Sequence, residues 1–191
     1  MKIRPGKIGI FDSAFKEILS AEMIAVIGGI IAGTILAVYT DNFLIIPGML
    51  IILPGFLEMR GNISGSFASR LISGLFLGVI KPSNIRDRIV KENITATFLL
   101  SAVVSFIFGL ILFFFNYIFL NNISYLLLAL PFIAGIIANI IEVPIVLGGT
   151  FYFFKKGHDP NNIMGPFITA TGDITSIISL LIAFFILLWN S

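Results

Sequence analysis

The chain contains no cysteine, which excludes disulfides and thiolate metal centres together. Charge is almost as scarce. Asp, Glu, Lys and Arg make up 12% of the 191 residues, about half of the roughly 25% found in globular domains. So small a supply cannot cover a water-facing surface, and the length leaves almost nothing for a separate soluble domain. The short alternating segments of a membrane β-barrel are absent. No small-residue cleavage site follows an apolar core in the first 20 residues, so no cleavable signal peptide is expected. The net charge is only +2, and no nucleic-acid partner is expected.

What the chain has instead is apolar length: 58% of it is hydrophobic, and apolar runs of 18 or more residues recur. That pattern predicts an all-α integral membrane protein. Five hydrophobic segments are expected as transmembrane helices. The first runs from about Glu22 to Tyr39, after a short amphipathic piece, DSAFKEILSAEM. The second begins near Phe43 and extends to Ile80, interrupted by Pro47, Pro54 and EMRGNISGS. The third covers about Ile94–Leu120, the fourth Ile123–Phe154 and the fifth Ile163–Trp189. A straight span needs about 20 residues. The second and fourth exceed this and carry prolines, so both are expected to be kinked or broken. The division is a cytoplasmic amphipathic segment over 1–20 and a five-helix transmembrane domain over 21–191. The N-terminal piece is too short for a cytoplasmic regulatory domain, so such regulation is expected to be absent or supplied in trans.

Basic residues give the orientation. Lys2, Arg4, Lys7, Lys16, Lys81, Arg86, Arg88, Lys91, Lys155 and Lys156 flank the spans on one side, and the segments on the other side carry none. Only Arg60 and Arg70 of the twelve basic residues fall inside a segment. The positive-inside rule then places the N-terminus in the cytoplasm and the C-terminus outside, in a multi-pass protein of the plasma membrane. An odd number of spans rules out two equal inverted halves, and five helices enclose little space. A pathway is therefore expected between copies of the chain.

Ionisable residues at bilayer depth cost about 2.5–3.5 kcal/mol each on insertion scales and mark pathways or partners. In the last segment Asn162, Pro166, Thr169, Asp173 and Ser176 share one helical stripe. A polar stripe ending in a mid-membrane carboxylate predicts the wall of a wet path or cation site; the alternative is an aspartate bonded to a neighbouring helix or neutral. In EMRGNISGS, glycines beside Pro54 would loosen the helix and expose carbonyls. With the Asn62 amide these are hard oxygen donors suited to Mg²⁺, Ca²⁺ or Na⁺. Equally, Gly61, Gly65, Ala68 and Ser69 suit plain helix packing. Glu58, Arg60 and Arg70 are expected to pair in a structural or gating role, or the two arginines to lie at interfaces. Glu142, just before Val143-Pro144, either adds a carboxylate to the path or meets Arg70. His158 is expected in a solvated loop.

Two blocks of sequence resemble the membrane domain of the MgtE magnesium channel and transporter family, above all its eukaryotic solute-carrier branch. One is Pro54 through Asn62, continuing to Ala68-Ser69-Arg70-Leu71. The other is Asp159-Pro160-Asn161-Asn162-Ile163 with Pro166 and Thr171-Gly172-Asp173. Their order, spacing and five-span plan match over about residues 20–190. The resemblance implies a homodimer with a pore at the twofold axis, lined by the second and fifth helices. It implies that Mg²⁺ is the transported ion, that Asp173 is the pore aspartate, and that Gly61, Asn62 and Asn162 line the pore. Thr169 joins them on the stripe as a metal-contact candidate, and Glu58, Glu142, Arg60, Arg70 and Asp159 are pathway or gating candidates. Glu58 stands where the family carries a small or apolar residue.

Two other classes were weighed. Gly172-Asp173 is similar to the Gly-Asp of intramembrane aspartyl proteases, but those need a second facing aspartate, which this chain lacks; no enzyme activity is expected. The remaining alternative is a structural or accessory membrane subunit that transports nothing by itself.

Overall fold

The structure, a computed structural model, describes residues 13–45, 48–121 and 123–189, and among them helix is the only regular structure. Six helices follow in order: α1 Ser13–Val38, α2 Thr40–Leu44, α3 Met49–Phe76, α4 Arg88–Leu120, α5 Leu126–Lys155 and α6 Pro160–Trp189. Four of them are long and apolar enough to cross a membrane: α1 from Ala14, α4, α5, and α6 as far as Leu188. The 28-residue α3 stands outside that group, because Glu58, Arg60 and Arg70 lie along it.

The second hydrophobic segment is divided, but not where EMRGNISGS suggested. The helix ends at Leu44 and resumes at Met49, behind Gly48 at φ 85°, a left-handed conformation that glycine adopts without steric cost. Pro47 lies outside the described residues. From Met49 onward α3 is unbroken through Pro54 and through all of Glu58–Ser66, so the expected loosened backbone gives way to the helix-packing reading. The reason is that each unpaired backbone group in an apolar medium costs several kcal/mol, more than the roughly 1 kcal/mol that a mid-helix glycine costs. Similarly, α5 is helical through Pro131 and Pro144 and is not broken; each proline leaves only the carbonyl four residues back without its donor. At the other end of the chain, the amphipathic piece from Ser13 and the first span form one continuous helix, α1. Lys2, Arg4 and Lys7 lie outside the described residues.

The central helix is α6, which packs against α1, α3 and α5, while α4 packs against α3 and α5. The contact of α1 with α6 is close: a Cβ built on Gly28 would lie 2.5 Å from Ala170 Cβ. Small residues allow such backbone approach in membrane helices. The outward faces of α1 and α4 carry exposed Ile24, Ile27, Ile30, Leu99, Val103 and Ile107, the apolar surface that a bilayer covers.

Two apolar clusters fill the interior. One joins Phe43, Ile52 and Phe56 to Leu130, Ala134, Leu180 and Phe184. The other joins Phe67, Leu71 and Leu75 to Val90, Val146, Phe151 and Met164. Along α3, α5 and α6 the residues between the clusters include Arg60, Asn139, Glu142 and Asp173. A polar layer therefore crosses the bundle between two greasy halves. The second cluster gathers the C-terminal ends of α3 and α5 with the N-terminal ends of α4 and α6. Glu17 of α1 reaches His158 there, so Lys16 and the basic residues at 81–91 and 155–156 share that end.

Candidate functional site

Three cavities lie in a row along the seam between α3 and α6. The first, about 290 Å³, has Pro54, Glu58 and Gly61 on one wall and Thr169, Gly172 and Asp173 on the other. The second, about 440 Å³, shares Glu58, Gly61 and Thr169 with it and adds Asn62, Pro166 and, from α1, Glu22. The third, about 220 Å³, shares Gly65 and Gly165 with the second and ends at Ser69, Pro160 and Asn161. The seam stays open because a Cβ at Gly61 or Gly65 on α3, or at Gly165 on α6, would have nothing within 4 Å, and no side chain is present there to fill the gap. Successive positions recur every three or four residues on each helix, as one helical face requires. The charged residues lining these three cavities are Glu22, Glu58 and Asp173, all of them acidic.

Asp173 is half-buried, and among the described residues no hydrogen bond or ion pair reaches its carboxylate. Glu58 is exposed and accepts from Asn62 Nδ2 at 3.2 Å. The Thr169 hydroxyl is turned back to the Gly165 carbonyl at 3.2 Å. Gly61, Asn62, Thr169 and Asp173 therefore come together as the sequence suggests. Asn162 does not join them: its Nδ2 donates to Glu17 Oε2 on α1 at 3.1 Å. Asp159 is also elsewhere. It takes up the first turn of α6, with Oδ1 accepting from the Asn161 backbone and amide at 2.9 Å each, the usual aspartate role at a helix start. His158 is half exposed in its loop but not free, because its Nδ1 sits 2.9 Å from Glu17 Oε1. Ser176 leaves the predicted stripe entirely. It is fully buried with its hydroxyl unpartnered, so the polar face ends at Asp173. Among the described residues no three His, Asp or Glu side chains form a group that could hold a metal ion.

Arg60 lies two residues beyond Glu58, about 200° around α3, and points into the polar layer. It is fully buried. Its Nη1 donates to Ser101 Oγ at 3.1 Å and to Asn139 Oδ1 at 2.6 Å, and its Nη2 to Glu142 Oε2 at 2.6 Å. Glu142 thus meets Arg60 and not Arg70. Among the described residues Arg70 joins no carboxylate. Its guanidinium donates to Asn93 Oδ1, Ser66 Oγ and Thr97 Oγ1, tying α3 to α4. Glu58 pairs with neither arginine.

The sequence matches the family of divalent cation transporters named MgtE over residues 53–183, which includes most of α3 and α6 and all of α4 and α5. The chain belongs to the MgtE family. Its members are transporters and not enzymes. It is also 28% identical, over 174 residues, to solute carrier family 41 member 2 of Gallus gallus, an alignment covering 84% of this chain and 29% of that protein. The chain thus spans less than a third of that relative's length. The MgtE match holds Glu58, Gly61, Asn62, Thr169 and Asp173, while Glu22 enters the seam from α1, outside the match. Glu22, Glu17, Asn139 and Ser101 were not anticipated from the sequence. Asn139 and Glu142 are three residues apart and so share a helix face, a signal that could have paired them; nothing local marks Glu22 or Glu17.

Proposed function

We propose that this MgtE-family chain passes Mg²⁺ across the plasma membrane through the α3–α6 seam. In this reading α3 also crosses the membrane, as the second of five spans, and both it and α5 are kinked at their prolines. The N-terminus lies in the cytoplasm and the C-terminus outside. Two copies pair so that their seams face each other across a twofold axis, and the ion passes between the two Asp173 carboxylates. The single observation that carries the reading is that Asp173 stands on a cavity wall with Glu58 and Gly61, its carboxylate without a partner among the described residues. A partnerless carboxylate in an apolar bundle costs several kcal/mol unless water or a cation reaches it.

Mg²⁺ sheds water reluctantly and usually keeps several waters, and a lining that carries only acidic charge attracts cations and rejects anions. Gly61, Asn62 and Thr169 then offer polar contacts to the hydrated ion. The test is Mg²⁺ uptake into liposomes containing this chain alone, followed with an internal dye. Saturable uptake is expected. If the chain transports nothing under these conditions, it is an accessory subunit and the transport reading fails.

A further inference from the structure

Glu142 is left half satisfied. Its Oε2 is held by Arg60 at 2.6 Å. Its Oε1 is fully buried, and among the described residues no hydrogen bond reaches it. An unpartnered buried charged oxygen costs about 1–3 kcal/mol or more, so its orientation needs an explanation. On α6 it faces Gly172, where an added Cβ would sit 3.0 Å from that same Oε1. Gly172 is itself part of the wall of the cavity that holds Asp173 and Glu58. With no side chain at position 172, only the backbone of α6 separates Glu142 Oε1 from that cavity, a thin place in the wall that we term the Gly172 window. Asp173 stands on the cavity side of it and Glu142 Oε1 on the other.

We infer that Glu142 is a second, inner acceptor for the cation at Asp173, taking a hydrogen bond through the Gly172 window from a water of the ion's hydration shell. This rests on the proposed passage of a hydrated divalent ion past Asp173. The waters of such an ion are strong donors, and each needs an acceptor. Asp173 supplies acceptors at the cavity wall, and Glu142 supplies one in depth. Arg60 fixes the Glu142 rotamer by holding the other oxygen, so Oε1 keeps its aim. The position also accounts for Gly172, since any larger residue would displace the oxygen or close the window.

The probe is cobalt(III) hexammine, whose ligands do not exchange, so a protein can hold it only by outer-sphere hydrogen bonds. Its binding to the purified full chain is measured by competition against Mn²⁺ in an electron paramagnetic resonance titration. Two variants test the inference: the neutral pair Arg60→Gln/Glu142→Gln, which leaves no lone buried charge, and Gly172→Ala, which narrows the window. Both are expected to weaken hexammine binding about tenfold, the scale of one lost charge-assisted bond. Asp173→Asn serves as the reference. If Asp173→Asn weakens binding and both test variants bind as the unaltered chain does, Glu142 is no acceptor and the inference is overturned. If Asp173→Asn itself has no effect, the pathway reading is what fails.

Discussion

Arg60 Nη2 lies 2.6 Å from Glu142 Oε2, and neither side chain has any exposed surface. This pair, with Asn139 and Ser101 as further acceptors, joins α3, α4 and α5 at one level of the bundle. Removing one partner strands the other charge, at about 3–5 kcal/mol, whereas replacing both with apolar residues of similar volume is often nearly neutral. Arg60→Met is therefore expected to lower unfolding stability in detergent by that amount, and Arg60→Met/Glu142→Leu to recover most of it. A double variant no more stable than the single one would show that the pair is not a closed unit.

The second arginine is structural in another way. Arg70 donates to Asn93, Ser66 and Thr97 with three different nitrogens, a fork that lysine cannot reproduce. Arg70→Lys is expected to cost about 2 kcal/mol, two ordinary hydrogen bonds' worth, and to loosen α4 from α3. Amide hydrogen exchange over residues 88–100 would rise; unchanged exchange would mean the fork does not hold α4.

Much of the bundle was legible because composition and run length alone require apolar helices. The polar stripe on α6 was legible from its helical period, whereas its meeting with the glycines of α3 was only implied by the family resemblance. Other features were hidden. The EMRGNISGS helix stayed intact because an apolar surrounding penalises open backbone, a force that propensity does not register. Asn162 and His158 were assigned without Glu17, since a contact across about 140 residues leaves no local trace. Arg60 and Glu142 were seen as charges but not as partners, because pairing depends on how α3 and α5 are rotated about their axes.

The approach of α1 to α6 gives a sharp pair of variants. At Gly28 a Cβ would press on Ala170, while at Gly29 nothing lies within 4 Å. Gly28→Leu is expected to lose about 1–3 kcal/mol through overpacking and Gly29→Leu to be nearly silent, both read from thermal unfolding in detergent. Equal losses would contradict the packing.

A chain without cysteine suits thiol cross-linking, because every introduced thiol is unique. Under the proposed twofold arrangement, Thr169→Cys on the seam is expected to link two chains with a short bis-maleimide. Val103→Cys, on the outward face of α4, is expected not to. The reverse pattern would place the contact between copies away from the seam.

Replacing the Asp173 carboxylate bears on passage itself. Asp173→Asn is expected to preserve folding and to cut Mg²⁺ flux into liposomes by at least tenfold, as befits a site that loses both of its paired charges. Flux equal to that of the unaltered chain would remove Asp173 from the path.

The most direct measurement is the anomalous scattering of Mn²⁺ in crystals of the full chain grown with that ion. The predicted result is a peak on the α3–α6 seam between two copies of Asp173, at a distance that leaves room for a water layer. A peak bound elsewhere, with the Asp173 carboxylates dry and remote from each other, would contradict the account.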